Sequence, residues 1–381
     1  APIFSIEPMT NADATISLSL AKRHSQPWLS SAVWDGTLIV APALASSAIA
    51  LIFRDTLNGS DSLPVWAWVS FILLVDVAHV YATGFRTYFN RQALQNHLAL
   101  LVGAPLACWL MGCLLYSANE LYFWRVLAYL AVFHFIRQQY GFMMLYSRKD
   151  PISFAGYKWL DGAAIYAATL YPLLYWHTHM PRNFNWFIEG DFVETLPAFF
   201  GTAGLLAYAI VAVAYIAREL ISCRASGFFN IPKNLIVIST AVSWWVGIIA
   251  LNSDIAFTMT NVLSHGIPYM ALVWLYHSRS ATTSPSPSSP RYNRLIKAAL
   301  TYVPLFVGLL WMLAYLEEGL WDGLVWHEHT SIFLPFSFLP AISDKALLSI
   351  VVPLLALPQS THYVLDGFIW RIKDKTSIWT A

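Results

Sequence analysis

Residues 131–142 read AVFHFIRQQYGF and lie in the middle of a long apolar segment. Six consecutive positions of this stretch include His134, Arg137, Gln138 and Gln139. Polar and ionisable side chains at membrane depth are costly, so they usually face the interior of a helix bundle and mark a functional site. The stretch therefore predicts a membrane helix whose polar residues are buried against other helices.

The composition of the whole chain supports a membrane environment. Of its 381 residues, 57% are hydrophobic and only 11% are charged, and 17 are Trp. An ordinary soluble domain carries about a quarter charged residues, and a soluble chain of this length must also cover its surface with polar groups. We therefore predict an all-α, polytopic integral membrane bundle. The formal net charge of +1 argues against nucleic acid as a partner. The three cysteines lack the spacing of a disulfide framework or a cysteine metal site.

The number of spans follows from segment length. A membrane-spanning helix needs about 20 mostly apolar residues. No basic start followed by an apolar run is present, so no cleavable signal is predicted. We expect a single integral membrane domain over residues 1–381, with a cytoplasmic segment at 1–33 and a Ser/Pro-rich cytoplasmic linker at 280–290. Ten spans are predicted: 34–53, 64–89, 97–116, 121–146, 157–176, 196–217, 233–251, 253–278, 294–316 and 345–370.

Basic residues indicate the orientation of these spans. One set of connections holds seventeen Lys and Arg residues, whereas the opposite set holds only Arg54, Arg182 and Lys345. Cytoplasmic loops carry the excess of Lys and Arg, so both termini are predicted to be cytoplasmic. A bacterial inner membrane is the expected location. The external loops 177–195 and 317–344 contain Trp and Phe and are predicted to be interfacial lids.

Four histidines lie well inside predicted spans. They are His79, His134, His265 and His362, on spans 2, 4, 8 and 10. These four helices all run from outside to inside, and the histidines lie about 10–21 Å from the inner ends at 1.5 Å per residue. Imidazole nitrogen is a good ligand for Fe, Cu, Zn and Ni. Four imidazoles at similar depth predict a shared metal site, with Fe(II) as the expected ion and another divalent transition metal as the alternative.

Other polar residues accompany these histidines. Asp76 precedes His79 by three residues and Asp366 follows His362 by four, so each carboxylate shares a helix face with its histidine. A ligating histidine usually passes its second N–H to a carboxylate or carbonyl. Tyr269 stands one turn after His265, where its hydroxyl can reach a bound ligand. We therefore assign orienting roles to Asp76 and Asp366.

A structural interpretation of the same residues remains open. A single intramembrane histidine is more often a hydrogen-bonded tie between helices than a metal ligand. Arg137 with Gln138 and Gln139 either bridges helices or holds a polar group or an oxygen-derived species. Pro268 is expected to free a backbone carbonyl near Ser264. The external motifs WHTH (176–179) and HEH (327–329) are more typical of interfacial histidine than of a metal site.

The histidine segments resemble the Brp/Blh family, the bacterial membrane dioxygenases that cleave β-carotene into retinal. The stretch HGIPYMALVW, 265–274, is similar to a family motif in which Tyr269 stands at the place of a second histidine. HYVLDGFIWR, 362–371, resembles the family's last helix, and FHF at 133–135 resembles its second motif. His79 corresponds to the first motif without its Pro-His-Gly context. The resemblance covers four short segments and implies a helical membrane oxygenase with histidine-bound non-haem iron and a lipid-soluble substrate.

These observations lead to a functional hypothesis with two alternatives. The leading one is a membrane oxygenase in which the four histidines hold iron that activates O₂ against an apolar substrate, a polyene or a lipid. In this hypothesis Tyr269, Arg137 and Gln138 position oxygen or substrate. The alternatives are a proton- or ion-coupled transporter that uses the same polar residues as an ion path, and a non-catalytic subunit of a larger membrane complex. Membrane lipids are expected partners in every case.

Overall fold

The computed structural model describes residues 25–58, 63–150, 157–194, 196–282 and 294–369. Every regular element within these ranges is helical, which confirms the predicted all-α class. The first 24 residues, most of the predicted linker at 280–290 and the basic C-terminal segment after residue 369 lie outside the described residues.

Ten long helical segments account for most of the described chain. Five short helical pieces lie between them: Arg54–Leu57, Arg91–Asn96, Arg294–Thr301 and the 3₁₀ turns Ser147–Lys149 and Leu334–Phe336. The tenth segment consists of two helices, α10a and α10b, which are bent by 44° relative to one another. The segments are α1 Ala32–Ile52, α2 Val65–Arg86, α3 Leu98–Ala118, α4 Glu120–Tyr146, α5 Lys158–Thr178, α6 Phe199–Ser226, α7 Ile231–Ala250, α8 Asp254–Thr282, α9 Val303–Trp326, α10a Lys345–Leu355 and α10b Leu357–Ile369.

Six of these helices are long and apolar enough to cross a membrane, namely α1, α2, α3, α6, α7 and α9. The bent pair α10a and α10b raises the number to seven if it is one span. The other three, α4, α5 and α8, have the required length but contain more charged and polar residues. In α4, for example, Glu120, Arg125 and Arg137 all interrupt the apolar sequence. The prediction of an all-helical chain with several helices long and apolar enough to span a membrane is therefore confirmed, whereas the number ten is not established by length and composition.

Proline positions explain where the last predicted spans differ from the structure. The predicted span 294–316 is two helices, because the chain is extended at Tyr302 and a new helix begins at Val303 with Pro304 in its first turn. Proline suits the first turn of a helix because its missing N–H has no partner there. At its other end α9 continues to Trp326 through a π-helical turn, Asp322–Trp326. Glu317, Glu318 and Asp322 therefore lie in a helix and not in the external loop predicted from 317 onward.

Helix α8 has a central position in the bundle. It packs against α1, α2 and α7, while α10b packs against α2, α3 and α4. The four helices that carry the intramembrane histidines are therefore neighbours. By contrast, α6 packs mainly against α5 and leaves most of its apolar side chains exposed, as expected for a helix that faces lipid.

A buried ionic network ties α6 to the bundle. Lys233 on α7 is 1% exposed, and its Nζ lies 2.8 Å from both Asp150 Oδ2 and Glu219 Oε1. Arg218 on α6 pairs with Asp161 on α5, a residue that is fully buried. Buried charges are tolerated only when they are paired and hydrogen-bonded. This network therefore keeps the peripheral helix in a defined position.

Candidate metal centre

Four imidazoles meet in the interior of the bundle. They belong to His79 on α2, His134 on α4, His265 on α8 and His362 on α10b, and one nitrogen of each lies within 4.8 Å of the others. The exposed fractions of the residues are 1%, 4%, 1% and 1%. The predicted convergence of these four histidines is thus confirmed. Among the described residues, this is the one group of histidine, cysteine and acidic side chains with the proximity needed to hold a metal ion.

The ring nitrogens are arranged in a way that fits a single ion. His265 Nε2 lies 3.0 Å from His79 Nε2 and 3.2 Å from His134 Nε2. Two nitrogens bound to one transition metal at about 2.1 Å each lie about 3.0–3.4 Å apart. The fourth nitrogen, His362 Nε2, is buried without a hydrogen-bond partner. A buried nitrogen normally has such a partner. A metal ion bound to Nε2 would take the place of that partner.

A chain of hydrogen bonds determines which nitrogen of His362 is free. Tyr269 Oη donates to Asp366 Oδ1 at 2.7 Å. The Tyr269 oxygen therefore accepts from Thr83 Oγ1, which lies 2.7 Å away. Thr83 Oγ1 in turn accepts from His362 Nδ1, at 2.6 Å. Because the proton is on Nδ1, the lone pair of His362 is on Nε2, which faces the other imidazoles.

The two predicted orienting carboxylates lie beside the cluster but contact different rings. Asp366 Oδ1 is 3.7 Å from His362 Nδ1, and Asp366 Oδ2 is 3.8 Å from His134 Nε2. Asp76 Oδ1 is 3.7 Å from His79 Nδ1. Asp366 therefore acts on His362 mainly through Tyr269 and Thr83. Asp76 lies just beyond hydrogen-bond distance of its own histidine.

Thr83 was not singled out from the sequence, although a signal for it was present. It follows His79 by four residues in VDVAHVYATGFR, so it shares a helix face with a predicted ligand. A polar side chain one turn from a ligating histidine is a reasonable candidate for a hydrogen bond to another ligand. Its partner, His362, is distant in sequence, so only the packing of α2 against α10b shows the contact.

Replacement of Thr83 by Val is expected to weaken metal binding about 10–100-fold, the usual effect of losing a partner of a ligating histidine. Valine has the shape of threonine but neither accepts from His362 Nδ1 nor donates to Tyr269. Isothermal titration of metal-free protein with Co²⁺ measures the change. Thr83→Ser keeps the hydroxyl and should restore most of the affinity. Equal affinities of the Val variant and the wild type would contradict the proton assignment.

Gln138 and Gln139 join α4 to the backbone of α8. Gln138 Nε2 donates to the carbonyl oxygen of His265 at 2.9 Å, and Gln139 Nε2 donates to that of Ser264 at 3.2 Å. Pro268 lacks the N–H that would otherwise bond to Ser264 four residues earlier. Gln139 thus supplies the missing donor. The two amides of residues 131–142 therefore bridge helices. They hold α4 and α8 at the height where His134 meets His265.

Replacement of Gln139 by Leu should lower the free energy of unfolding by about 1–3 kcal/mol, because the Ser264 carbonyl is then buried without a donor. The matched test is a double-mutant cycle with Pro268→Ala, which returns a backbone N–H to the same carbonyl. Thermal unfolding in detergent is expected to show that Gln139→Leu is less destabilising in the Pro268→Ala background than in the wild type. Strictly additive effects would show that the two residues do not share this carbonyl.

Arg137 lies apart from the histidine cluster. Its side chain is exposed, its Nη1 donates to Tyr166 Oη at 3.1 Å, and its guanidinium lies 4.9 Å from the centre of the Tyr140 ring. The structure therefore brings Tyr269, Asp76 and Asp366 to the cluster but turns Arg137 toward α5. His134 and Arg137 lie within one turn of α4, yet His134 contacts the histidine cluster and Arg137 contacts Tyr166 on α5.

Aromatic rings cover the cluster on one side. Phe135 is stacked on His265, with ring centres 3.6 Å apart and planes at 7°. Trp186, from the loop after α5, meets Phe135 edge to face at 5.0 Å. The Tyr363 ring lies 5.1 Å from the His134 ring. Apolar rings at these positions exclude water and leave a low-polarity environment around the nitrogens.

The loop that carries Trp186 is held in place by polar contacts. Asp191 is 1% exposed, and its Oδ2 accepts the backbone N–H groups of Trp186, Phe187 and Ile188. Burial raises the pKa of Asp191 to about 6, against the opposing effect of these amides. Arg125 Nε donates to the carbonyl oxygen of Gly190 at 3.0 Å. The predicted lid is therefore an ordered loop, and Arg125 is one of its anchors.

The histidines of the WHTH motif have structural partners. His177 Nδ1 lies 2.7 Å from the Leu173 carbonyl oxygen, and its Nε2 lies 2.7 Å from Tyr129 Oη. His179 Nδ1 lies 2.8 Å from the Tyr175 carbonyl oxygen. Both rings are thus engaged at the end of α5, in agreement with the interfacial interpretation of this motif.

The fold and the site together define a class: an all-helical chain with several helices apolar enough to cross a membrane and a buried four-histidine centre compatible with a metal ion. Searches for a matching family model, for similar curated proteins and for similar solved structures found no match.

Proposed function

We propose that this protein is an integral membrane oxygenase that binds non-haem iron through His79, His134, His265 and His362. The observation that carries the proposal is the meeting of four imidazoles from four helices at ligand-like separations in a buried site. A set of neutral nitrogen ligands suits Fe(II) and other divalent transition metals. The buried position favours a substrate that is itself apolar and dissolved in the membrane.

The proposal includes an arrangement of the chain in the membrane. We infer that α4, α5 and α8 also span the bilayer, because their polar residues are largely buried against other helices. Gln139, Asp161 and His265 are examples. Together with the seven other segments this makes ten spans. The bias of Lys and Arg toward one set of connections supports cytoplasmic termini, and a bacterial inner membrane is the corresponding location.

Iron at this site would supply the binding and activation of O₂. The chain's own residues then have distinct tasks. The hydrogen-bonded chain through Thr83 and Tyr269 keeps the Nδ1 proton of His362 in place and its Nε2 lone pair turned inward. Phe135 and Trp186 exclude water, which protects reactive species in a low-dielectric site. The rings of Phe135 and Tyr363, which lie against His265 and His134, keep the surroundings of these imidazoles apolar.

The substrate class rests on two arguments. The cluster is lined by aromatic rings on the Phe135 side, which suits an apolar substrate. The short motifs around His134, His265 and His362 resemble those of the Brp/Blh family, whose substrate is a carotenoid. We therefore propose a polyene or another lipid as substrate. Tyr269, which replaces a histidine of the family pattern, would serve here as a hydrogen-bond donor to Asp366.

The test is made on the purified protein in two steps. Elemental analysis should find one iron per chain, and addition of β-carotene in detergent micelles should cause O₂ uptake that matches loss of the polyene absorbance. If iron is bound but β-carotene causes no O₂ uptake, the metal site stands and the substrate is a different one. The absence of any bound transition metal, after loading with Fe²⁺ under argon, would refute it.

A second candidate, an ion-coupled transporter, is favoured by one observation. Asp76, Glu317 and Glu318 place three carboxylates in membrane-spanning helices near the histidines. Such groups commonly line ion or proton paths. Proteoliposomes distinguish the two candidates, because a transporter moves protons or metal ions down an imposed gradient, whereas the oxygenase leaves the gradient intact.

A further inference from the structure

Arg137 is an exposed cation on α4, a helix that we infer to span the membrane. Its Nη1 donates to Tyr166 Oη of α5 at 3.1 Å, and its guanidinium lies 4.9 Å from the centre of the Tyr140 ring. Within the described ranges, none of the ion pairs formed by Lys or Arg includes Arg137. Ionisable side chains at membrane depth usually face the bundle interior and are paired. The charge of Arg137 is therefore open to an anion that comes from outside this chain.

The depth of this charge follows from the start of α5. Tyr157 and Trp159 are 54% and 67% exposed there, and exposed aromatic rings of this kind lie at the membrane interface. Tyr166 follows Trp159 by seven residues, about 10 Å along the helix at 1.5 Å per residue. Side chains lean toward the N-terminus of their helix, here toward the same interface. The Tyr166 hydroxyl and the guanidinium bonded to it therefore lie within about 10 Å of the lipid head groups.

A second cation lies nearer the interface, along the line where α4 meets α5. Lys158, Gly162 and Tyr166 are spaced four residues apart, so they share one face of α5. This face meets α4, because a Cβ at Gly162 would lie 3.0 Å from the Tyr140 ring. In the part of the chain that the structure describes, Lys158 is also absent from every ion pair. We call Arg137, Tyr140, Lys158 and Tyr166 the α4–α5 seam. It carries two positive charges, one at the interface and one below it.

An apolar strip continues from Arg137 toward the other end of α4. Phe133, Leu130 and Val126 are 57%, 38% and 41% exposed, and successive steps of four, three and four residues place them on the face of Arg137. The strip is about 16 Å long, close to half of the roughly 30 Å hydrocarbon core of a bilayer. On the other side of Arg137, a Cβ at Gly141 would meet no atom within 4 Å, which leaves room for a head group. This surface therefore matches the length and polarity of one lipid molecule.

We propose that the α4–α5 seam binds the anionic head group of a phospholipid from the leaflet at the Lys158 end. Arg137 and Lys158 pair with its phosphate, and an acyl chain lies on the apolar strip of α4. Basic sites between membrane helices on the cytoplasmic side recognise anionic lipids, and the proposed orientation places this end in the cytoplasm. The inference rests on the membrane arrangement included in the proposed function, and it does not depend on the proposed iron.

Native mass spectrometry of the delipidated protein tests this site, with phosphatidylglycerol and phosphatidylcholine of the same acyl chains as probes. Both lipids have a phosphate, but only phosphatidylglycerol has a net negative charge. We expect the first phosphatidylglycerol to bind at least about tenfold more tightly than phosphatidylcholine. Arg137→Gln should lower this affinity about tenfold or more, because a hydrogen bond between charged groups is lost, and Arg137→Lys should restore part of it. Lys158→Gln is a second variant with the same expected direction.

The matched control is Arg54→Gln, which removes an exposed arginine beside Asp55 in a different connection and should leave the affinity unchanged. Excess inorganic phosphate should not displace the lipid, because the apolar strip holds its chain. Displacement by phosphate would overturn a lipid as the ligand. Equal affinities of the wild type for the two lipids, or wild-type affinity in both Arg137→Gln and Lys158→Gln, would overturn the site. Selective lipid binding by a wild type that cannot be loaded with iron would refute the oxygenase and leave the lipid site standing.

Discussion

Replacement of His265 by Ala should leave the purified protein folded but without bound metal. His265 is the hub of the cluster, since its Nε2 lies within 3.2 Å of the nitrogens of both His79 and His134. The loss of a ligand should weaken binding by more than the roughly 10–100-fold caused by loss of a partner of a ligand. The metal content after desalting, measured by elemental analysis, should fall from about one ion per chain to background.

The control for this experiment is His97→Ala, which removes an exposed histidine outside the cluster and should not change the metal content. His134→Ala should behave like His265→Ala, because His134 supplies another of the four nitrogens. A monodisperse gel-filtration profile would show that each variant is folded. Stoichiometric metal in both folded variants would refute the assignment of these histidines as ligands.

Replacement of Gly266 by Ala should disrupt the centre without touching any ligand. A Cβ at Gly266 would lie 2.7 Å from Val75 Cγ1 and 3.0 Å from the Val75 carbonyl oxygen. The backbone of α2 cannot move away as a side-chain tip would, so α8 must shift from α2. His265 and His79 are neighbours of this contact and are expected to separate. We expect a loss of about 1–3 kcal/mol in the free energy of unfolding and at least tenfold weaker metal binding.

The matched control is Gly103→Ala on α3, where an added Cβ would meet no atom within 4 Å. That change should be neutral or slightly stabilising, since alanine favours the helix over glycine. Thermal unfolding and Co²⁺ titration of both variants provide the comparison. Wild-type metal affinity in a folded Gly266→Ala protein would show that the close approach of α2 and α8 does not determine the position of His265.

Several parts of the site could be predicted from local sequence because their signals are local. An ionisable residue in an apolar helix is costly wherever the helix lies, so His79, His134, His265 and His362 stood out individually. Asp76 and Asp366 followed from helical spacing. The link between Pro268 and the Ser264 carbonyl follows from the chemistry of proline, which lacks an N–H.

Other parts could not be predicted because they depend on which helix faces meet. Arg137 lies three residues from His134, yet its side chain points toward Tyr166 on α5. The role of Thr83 does not follow from local sequence, because its partner His362 is 279 residues away. Glu317 and Glu318 are predicted in a loop because the apolar window ends at residue 316, whereas the helix that begins at Val303 continues through both glutamates.

Composition and residue pattern were thus sufficient for the helical class, for a membrane-suited set of apolar segments and for the identity of the four imidazoles. The free energy of transfer from water to membrane belongs to each side chain separately, so apolar segments can be recognised from the sequence alone. Which atoms contact one another was decided only by tertiary packing. The tautomer of His362, the role of Gln139 and the separation of Arg137 from the centre all depend on the rotation and height of one helix against another, and these are set by contacts such as that between Gly266 and Val75.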